Sequence, residues 1–302
     1  MERMERFAKA SRSASTTNAY ASDWADFDRF CTRHTFNALP ADPEAVALYL
    51  TDLAGRMKPS TIARRAASIS VAHKRAGFDS PTADGRVREI TQGIRRVLGV
   101  AQHAATPAGI GEVRRMVAHL PQSPLGARDA ALLLVGLASA MRASELVGVR
   151  VEDIAERDAG LVITVRRSKT DQEGAGREVA IPYGRDPQTC PVAALRRWLA
   201  RAEISDGPVF RPVTRHGGVG SAALSTRSVS TIVRRSASAA GLDPAGFSAH
   251  SLRAGFATTA AANGASERSI STQTGHKSME VLRGYVRHAS VWTDNAVTNL
   301  GL

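Results

Sequence analysis

Apolar residues recur at three- and four-residue spacing through most of the chain. The repeats are broken by short runs rich in Pro, Gly, Ser and Asp. Tyr20, Trp24, Phe27 and Phe30 keep this spacing after the capping types Ser15, Thr16 and Thr17, which predicts a first helix. Asp42-Pro43 opens a second, carrying Val46, Leu48, Tyr49, Leu50 and Leu53. Lys58-Pro59-Ser60-Thr61 starts a third, with Ile62, Ala66, Ile69 and Ala72 on one face. Asp84 to Leu98 reads as a fourth, striped by Val87, Ile90, Ile94 and Val97. No strand is predicted before residue 99.

Gly99 to Gly109 is rich in small residues, contains Pro107, and reads as a linker. Helices are predicted at 110–120 and 126–140, the second an apolar run (Ala130 to Met141) too short to cross a bilayer. The period then changes from helical to two. Leu161 to Val165 and Arg177 to Ile181 predict a β-hairpin whose long polar tip spans Ser168 to Gly176. Helical spacing resumes at 191–202, 226–240, 250–264, 266–274 and 278–285. The expected fold is mainly α with a small antiparallel β-sheet, divided into a helical domain over 1–104 and an α+β domain over 105–302.

Charge narrows the function. The net charge is +12, and both halves carry an excess of Arg and Lys, a balance that suits a polyanionic partner or simply a soluble surface. Only five of the 40 basic residues are lysines, which matches the bidentate phosphate chemistry of arginine but also a GC-rich coding bias. Cys31 and Cys190 are isolated, so neither a disulfide framework nor a Cys/His metal site is expected, and a reducing cytoplasmic compartment is. The N-terminus, MERMERFAKASRS, has no apolar run for a signal peptide. No cofactor, metal or membrane partner is predicted.

A basic chain without a metal motif can break a phosphodiester only if side chains supply everything. It needs cations for the non-bridging oxygens, a nucleophile, and proton donors for the leaving oxygen. Four segments hold these types: Met141-Arg142-Ala143-Ser144-Glu145-Leu146, Arg167-Ser168-Lys169-Thr170, His250-Ser251-Leu252-Arg253, and Gly275-His276 followed by Tyr285. Arg142 and Arg253 stay charged at any working pH. Glu145 lies one turn from Arg142 and can orient it; a plain surface pair is the alternative. Lys169 can give up a proton, although loop tips commonly carry charges. His250 and Arg253 share a helical face, and a capping histidine is the competing role. A lone tyrosine is more often a core residue than a nucleophile, because its pKa is about 10.

Taken together, these segments resemble the tyrosine recombinase family of phage integrases, Xer proteins and Cre. The family's Arg with an acid three residues on matches Arg142 and Glu145. Its hairpin lysine matches Lys169, its HxxR matches His250 and Arg253, and its second histidine nine residues before the tyrosine matches His276 and Tyr285. Leu224-Ser225-Thr226-Arg227 and the N-terminal helices are similar to Cre. The resemblance implies a helical core-binding domain and a catalytic domain forming a C-shaped clamp on DNA, and a site-specific recombinase that works through a 3′-phosphotyrosine and a Holliday junction. It implies double-stranded DNA with inverted repeats as partner, a homotetramer across two duplexes, and a nucleoid-associated place in the cytoplasm. Thr61, Arg64, Arg65 and Arg227 are the candidate DNA contacts. Val291, Trp292, Ala296, Val297 and Leu300 form an apolar stripe expected to dock in a neighbouring subunit or to pack in cis. A type IB topoisomerase and a catalytically silent DNA-binding regulator are the rival readings.

Overall fold

The computed structural model describes residues 13–99, 105–166 and 176–275, with Glu280, Arg283, Gly284 and Leu300 beyond them. The chain separates into two compact units, Met1–His103 and Ala104–Leu302.

The first unit holds α1 (Ala14–Arg33), α2 (Pro43–Ala54), α3 (Pro59–Arg75) and α4 (Gly85–Leu98). Caps set most of the starts. Asp42 and Asp84 accept the N–H of the residue two on, and Pro43 and Pro59 sit in the first turn, where a missing N–H costs nothing. The cap of α1 is Ser13, whose hydroxyl accepts the Thr16 N–H, so Ser15, Thr16 and Thr17 lie inside the helix rather than before it. The core gathers Phe27, Tyr49, Leu50, Leu53, Ile62, Ile69 and Val87, all buried. Phe27 and Phe30 lean on Tyr49 at ring distances of 5.1 and 5.2 Å. Ile90 and Ile94 pack partly against this core, but Val97 is 84% exposed. The stripe of α4 therefore stops one turn earlier than its spacing predicts, where the helix outruns the core.

The second unit comprises α5 (Ile110–Ala118), α6 (Pro124–Ser139), α7 (Ala143–Gly148), β1 (Ile154–Arg157), β2 (Gly160–Val165), β3 (Arg177–Pro182), α8 (Pro191–Arg201), α9 (Thr226–Ala239), α10 (Ala249–Ala262) and α11 (Glu267–Thr274). Residues 131–135 of α6 are apolar on every side and all buried, as expected of a helix packed all round. The sheet has order β1-β2-β3 and is antiparallel throughout, with Leu161 opposite Ile181 and Ile163 opposite Val179. The predicted hairpin is β2 and β3. Helix α7 and strand β1 have no counterpart in the predicted elements, because each is too short to show a period.

The segment read as linker divides. Its end is already part of the second unit: the Thr106 N–H donates to the Gly246 carbonyl at 2.8 Å and the Ala108 N–H to the Ser251 carbonyl at 2.8 Å. Ala108 is fully buried. No helix among the described residues is long and apolar enough to cross a membrane. Of the predicted helix 278–285, Glu280, Arg283 and Gly284 are described, and each is helical.

Candidate active site

The site is assembled around the turn that ends α6. Ala140 caps that helix in the left-handed conformation (φ 51°), and the chain then restarts as α7 with Arg142 at its N-cap. Glu145, whose side chain is 1% exposed, binds Arg142 twice. Its Oε2 accepts the Arg142 backbone N–H at 3.1 Å and its Oε1 accepts from Nη1 at 2.7 Å. The first bond is half of a capping box and the second is an ion pair, so one buried carboxylate sets both where α7 starts and where the Arg142 guanidinium points. That guanidinium is 21% exposed and not sealed in.

Helix α10 brings the next pair. Ser248 caps it, accepting the His250 N–H, which places His250 in the first turn and Arg253 one turn further. Arg253 is only 1% exposed. Its Nη1 donates to the Ala140 carbonyl at 2.8 Å and to the Thr274 carbonyl, tying α10 to the end of α6 and the end of α11. A buried arginine held by carbonyls keeps its full charge while its position is fixed.

His250 has an exposed edge, yet the desolvated part of its ring, then Arg253 and Arg142, pull its pKa below the ordinary histidine value of 6.5. The start of α10 adds to this, since the positive end of a helix dipole disfavours a cation. His250 is thus held neutral in a cationic surround, and it responds electrically to both arginines.

Helix α11 closes the assembly. Gln273 Nε2 donates to the Ala138 and Ala180 carbonyls, each at 3.0 Å, stapling α11 to α6 and to β3. The helix ends on Gly275 in the left-handed conformation (φ 65°). Arg142, Glu145, His250 and Arg253 are therefore brought together, on segments 108 residues apart in the chain. Lys169, His276 and Tyr285 lie outside the described residues. Arg166, just before the hairpin tip, donates to buried Asp153.

Arg177 was not singled out from the sequence, yet it joins this cluster. Its Nη2 donates to Glu145 Oε2 at 3.1 Å and its Nη1 to the Gln273 carbonyl at 2.9 Å. A signal was present: period-two alternation puts Arg177 on the same face of β3 as buried Val179 and Ile181, and a charge on a core face requires a partner.

The candidate DNA contacts differ among themselves. Arg227 is exposed in the first turn of α9 and Thr61 is half-buried in the first turn of α3. Arg64 is 41% exposed and pairs with buried Asp23 at 2.5 Å. Arg65 is 12% exposed and engaged by Asp23, Asp26 and the Tyr49 hydroxyl. Its guanidinium is committed to joining α3 to α1 and α2.

Known proteins resemble the chain along nearly its whole length. The profile of the phage integrase family matches residues 111–290. An integrase/recombinase XerD homolog of Selenomonas ruminantium is 39% identical over 301 residues, which is 98% of this chain and 88% of that protein. The tyrosine recombinase XerC of Corynebacterium glutamicum is 28% identical over 280 residues, 91% of this chain and 82% of its own. Among solved structures, the XerH site-specific recombinase in a post-cleavage complex with its palindromic difH substrate superposes with a TM-score of 0.70 at 19% identity, covering 94% of this chain and 80% of that one. A lambda integrase dimer bound to a COC′ core site superposes with a TM-score of 0.60 at 19% identity, covering 94% and 93%. At such identity the two structures show a shared fold.

Proposed function

The chain belongs to the phage integrase family of tyrosine recombinases and is a site-specific recombinase, and from that premise we propose that it cuts and rejoins double-stranded DNA through Tyr285. The Tyr285 phenol attacks a backbone phosphate, forming a 3′-phosphotyrosine and releasing a 5′-hydroxyl. One phosphodiester replaces another, so the bond energy is retained. The 5′-hydroxyl of a second strand reverses the step, and two rounds pass through a Holliday junction.

Arg142 and Arg253 stabilise the charge that crowds the phosphate in the transition state, and His276 donates to it. Neutral His250 accepts the phenol proton, and Lys169 protonates the leaving 5′ oxygen. Glu145 orients Arg142. The observation that carries this reading is the convergence of Arg142, Glu145, His250 and Arg253 around the end of α6, with Arg253 also bonded to the Thr274 carbonyl, two residues before His276 in sequence. DNA as partner is further supported by the DNA-bound state of both structural relatives. Target sites with inverted repeats, a homotetramer on two duplexes, contacts from Thr61, Arg64 and Arg227, and a nucleoid location complete the proposal; Arg65, held by Asp23, Asp26 and Tyr49, is left out of the contacts. Arg227 is the most available of the three.

Covalent capture tests it. The wild-type protein incubated with a random-sequence duplex library should retain DNA through denaturation, and sequencing the retained DNA defines the site. Tyr285→Phe should retain none while still shifting that duplex in a gel. Retention by the Phe variant at the wild-type level would overturn the assignment of Tyr285.

A further inference from the structure

We infer that Arg177 is a positioning residue for DNA cleavage, acting through Glu145 on Arg142. The inference rests on the reading of Arg142 as a clamp on the scissile phosphate. Glu145 is a single buried negative charge with two oxygens. Oε2 is shared between the Arg142 backbone N–H and Arg177 Nη2, and among the described residues Oε1 takes only Nη1 of Arg142. Without Arg177 the carboxylate would be free to draw the Arg142 guanidinium into a bidentate pair, the preferred geometry of Arg with a carboxylate. That would turn a second donor of Arg142 away from the phosphate and neutralise its charge more completely.

Two arginines on one carboxylate leave a net positive charge in the cluster and hold Arg142 by one corner. Arg177 is itself held from the other side. Its Nη1 is fixed on the Gln273 carbonyl, and its guanidinium lies across Gly275, where an added Cβ would stand 2.9 Å from Nε. Gln273 is bound in turn to the Ala138 and Ala180 carbonyls. The link thus runs from the start of β3 to both Glu145 and the end of α11. Its Nη1 and Nη2 are both bonded to protein, to the Gln273 carbonyl and to Glu145, and this makes Arg177 a support for Arg142 rather than a phosphate ligand.

The test uses the full-length protein and the duplex recovered by covalent capture, compared with the same duplex carrying a methylphosphonate at the scissile position. The methyl group removes the non-bridging charge that Arg142 offsets. Arg177→Ala should slow single-turnover cleavage of the phosphodiester by about a hundredfold, the scale of a small displacement of a catalytic group. It should leave the dissociation constant for the duplex unchanged and recover most of the lost rate on the methylphosphonate, as Arg142→Ala should. In the Arg142→Ala background, Arg177→Ala should cost nothing further. Arg177→Lys, which keeps the charge but cannot span both partners, should fall between and serves the same comparison if the Ala variant is poorly folded.

A wild-type cleavage rate in Arg177→Ala, or an equal deficit on both duplexes, would overturn the inference. An additive loss in the double variant would also overturn it, showing direct contact with DNA. If Arg142→Ala itself is not rescued, the clamp reading fails and the inference falls with it.

Discussion

His250 shows how much a single side chain takes from its surroundings. Desolvation, then Arg253, then Arg142, hold its pKa below 6.5 in the folded chain. As pH falls, the unfolded chain therefore takes up this proton first. The stabilising contribution of neutral His250 is present above about pH 6.5 and is lost as pH falls through the lower, folded value. An NMR titration of the His250 ring should give a midpoint below that of a free histidine, and Arg142→Gln should move it upward. A midpoint at or above 6.5 in the wild-type protein would show that the two guanidinium groups do not reach this ring. At neutral pH the imidazole is ready to accept a proton, the state that a general base requires.

Helix α10 is the element on which the site turns, and its packing leaves no slack. It carries His250 and Arg253 outward toward the end of α6, and at Gly255 it is pressed against the chain entering the second unit. A Cβ on Gly255 would lie 1.9 Å from the Ala108 carbonyl oxygen. On the neighbouring face, a Cβ on Gly136 of α6 would lie 2.8 Å from Leu252. Backbone cannot yield as a side-chain tip can, so Gly255→Ala should cost about 2–3 kcal/mol of stability. Chemical denaturation would show this as a lower midpoint with its slope retained. An unchanged midpoint would mean that the segment ending in Ala108 is not docked as described. Because Arg253 lies two residues from the contact, the variant should also cleave DNA more slowly than its stability loss explains.

At the scale of the whole molecule, charge and the C-terminal tail matter most. A net charge of +12 over two basic halves suits association with a polyanion, by contacts that carry no sequence information on their own. On the proposed reading, specific action then depends on assembly. The stripe from Val291 to Val297 lies outside the described residues, but Leu300 at its end is 67% exposed. On the proposal that this stripe docks in a neighbouring subunit rather than packing in cis, pairing of two duplexes needs it. Deleting residues 291–302 should therefore abolish joining of two duplexes into one complex while leaving binding to a single site intact. Native gels with one and two labelled duplexes distinguish these, and normal pairing by the truncated protein would exclude the tail from assembly.

Much was legible before folding was considered. The helices with strong periods, the hairpin and the set of catalytic residue types are local features, written as spacing, caps and short motifs. The elements that went unseen, α7 and β1, are six and four residues long, too short for a period, and depend on what they pack against. The end of the linker read as loop because its partners, Gly246 and Ser251, lie about 140 residues away. The same limit applied to charge. Arg64 and Arg65 look like any exposed basic pair in a helix, and only the fold sets them on Asp23 and Asp26. Arg177 looked like the start of a strand until Glu145 and Gln273 were found beside it. The sequence by itself determined which residue types the chain offers for chemistry, because residue type and local spacing are properties of the chain alone. Only the tertiary structure decided which cations are spent on holding the protein together and which remain for a phosphate, because an ion pair is a matter of distance in space.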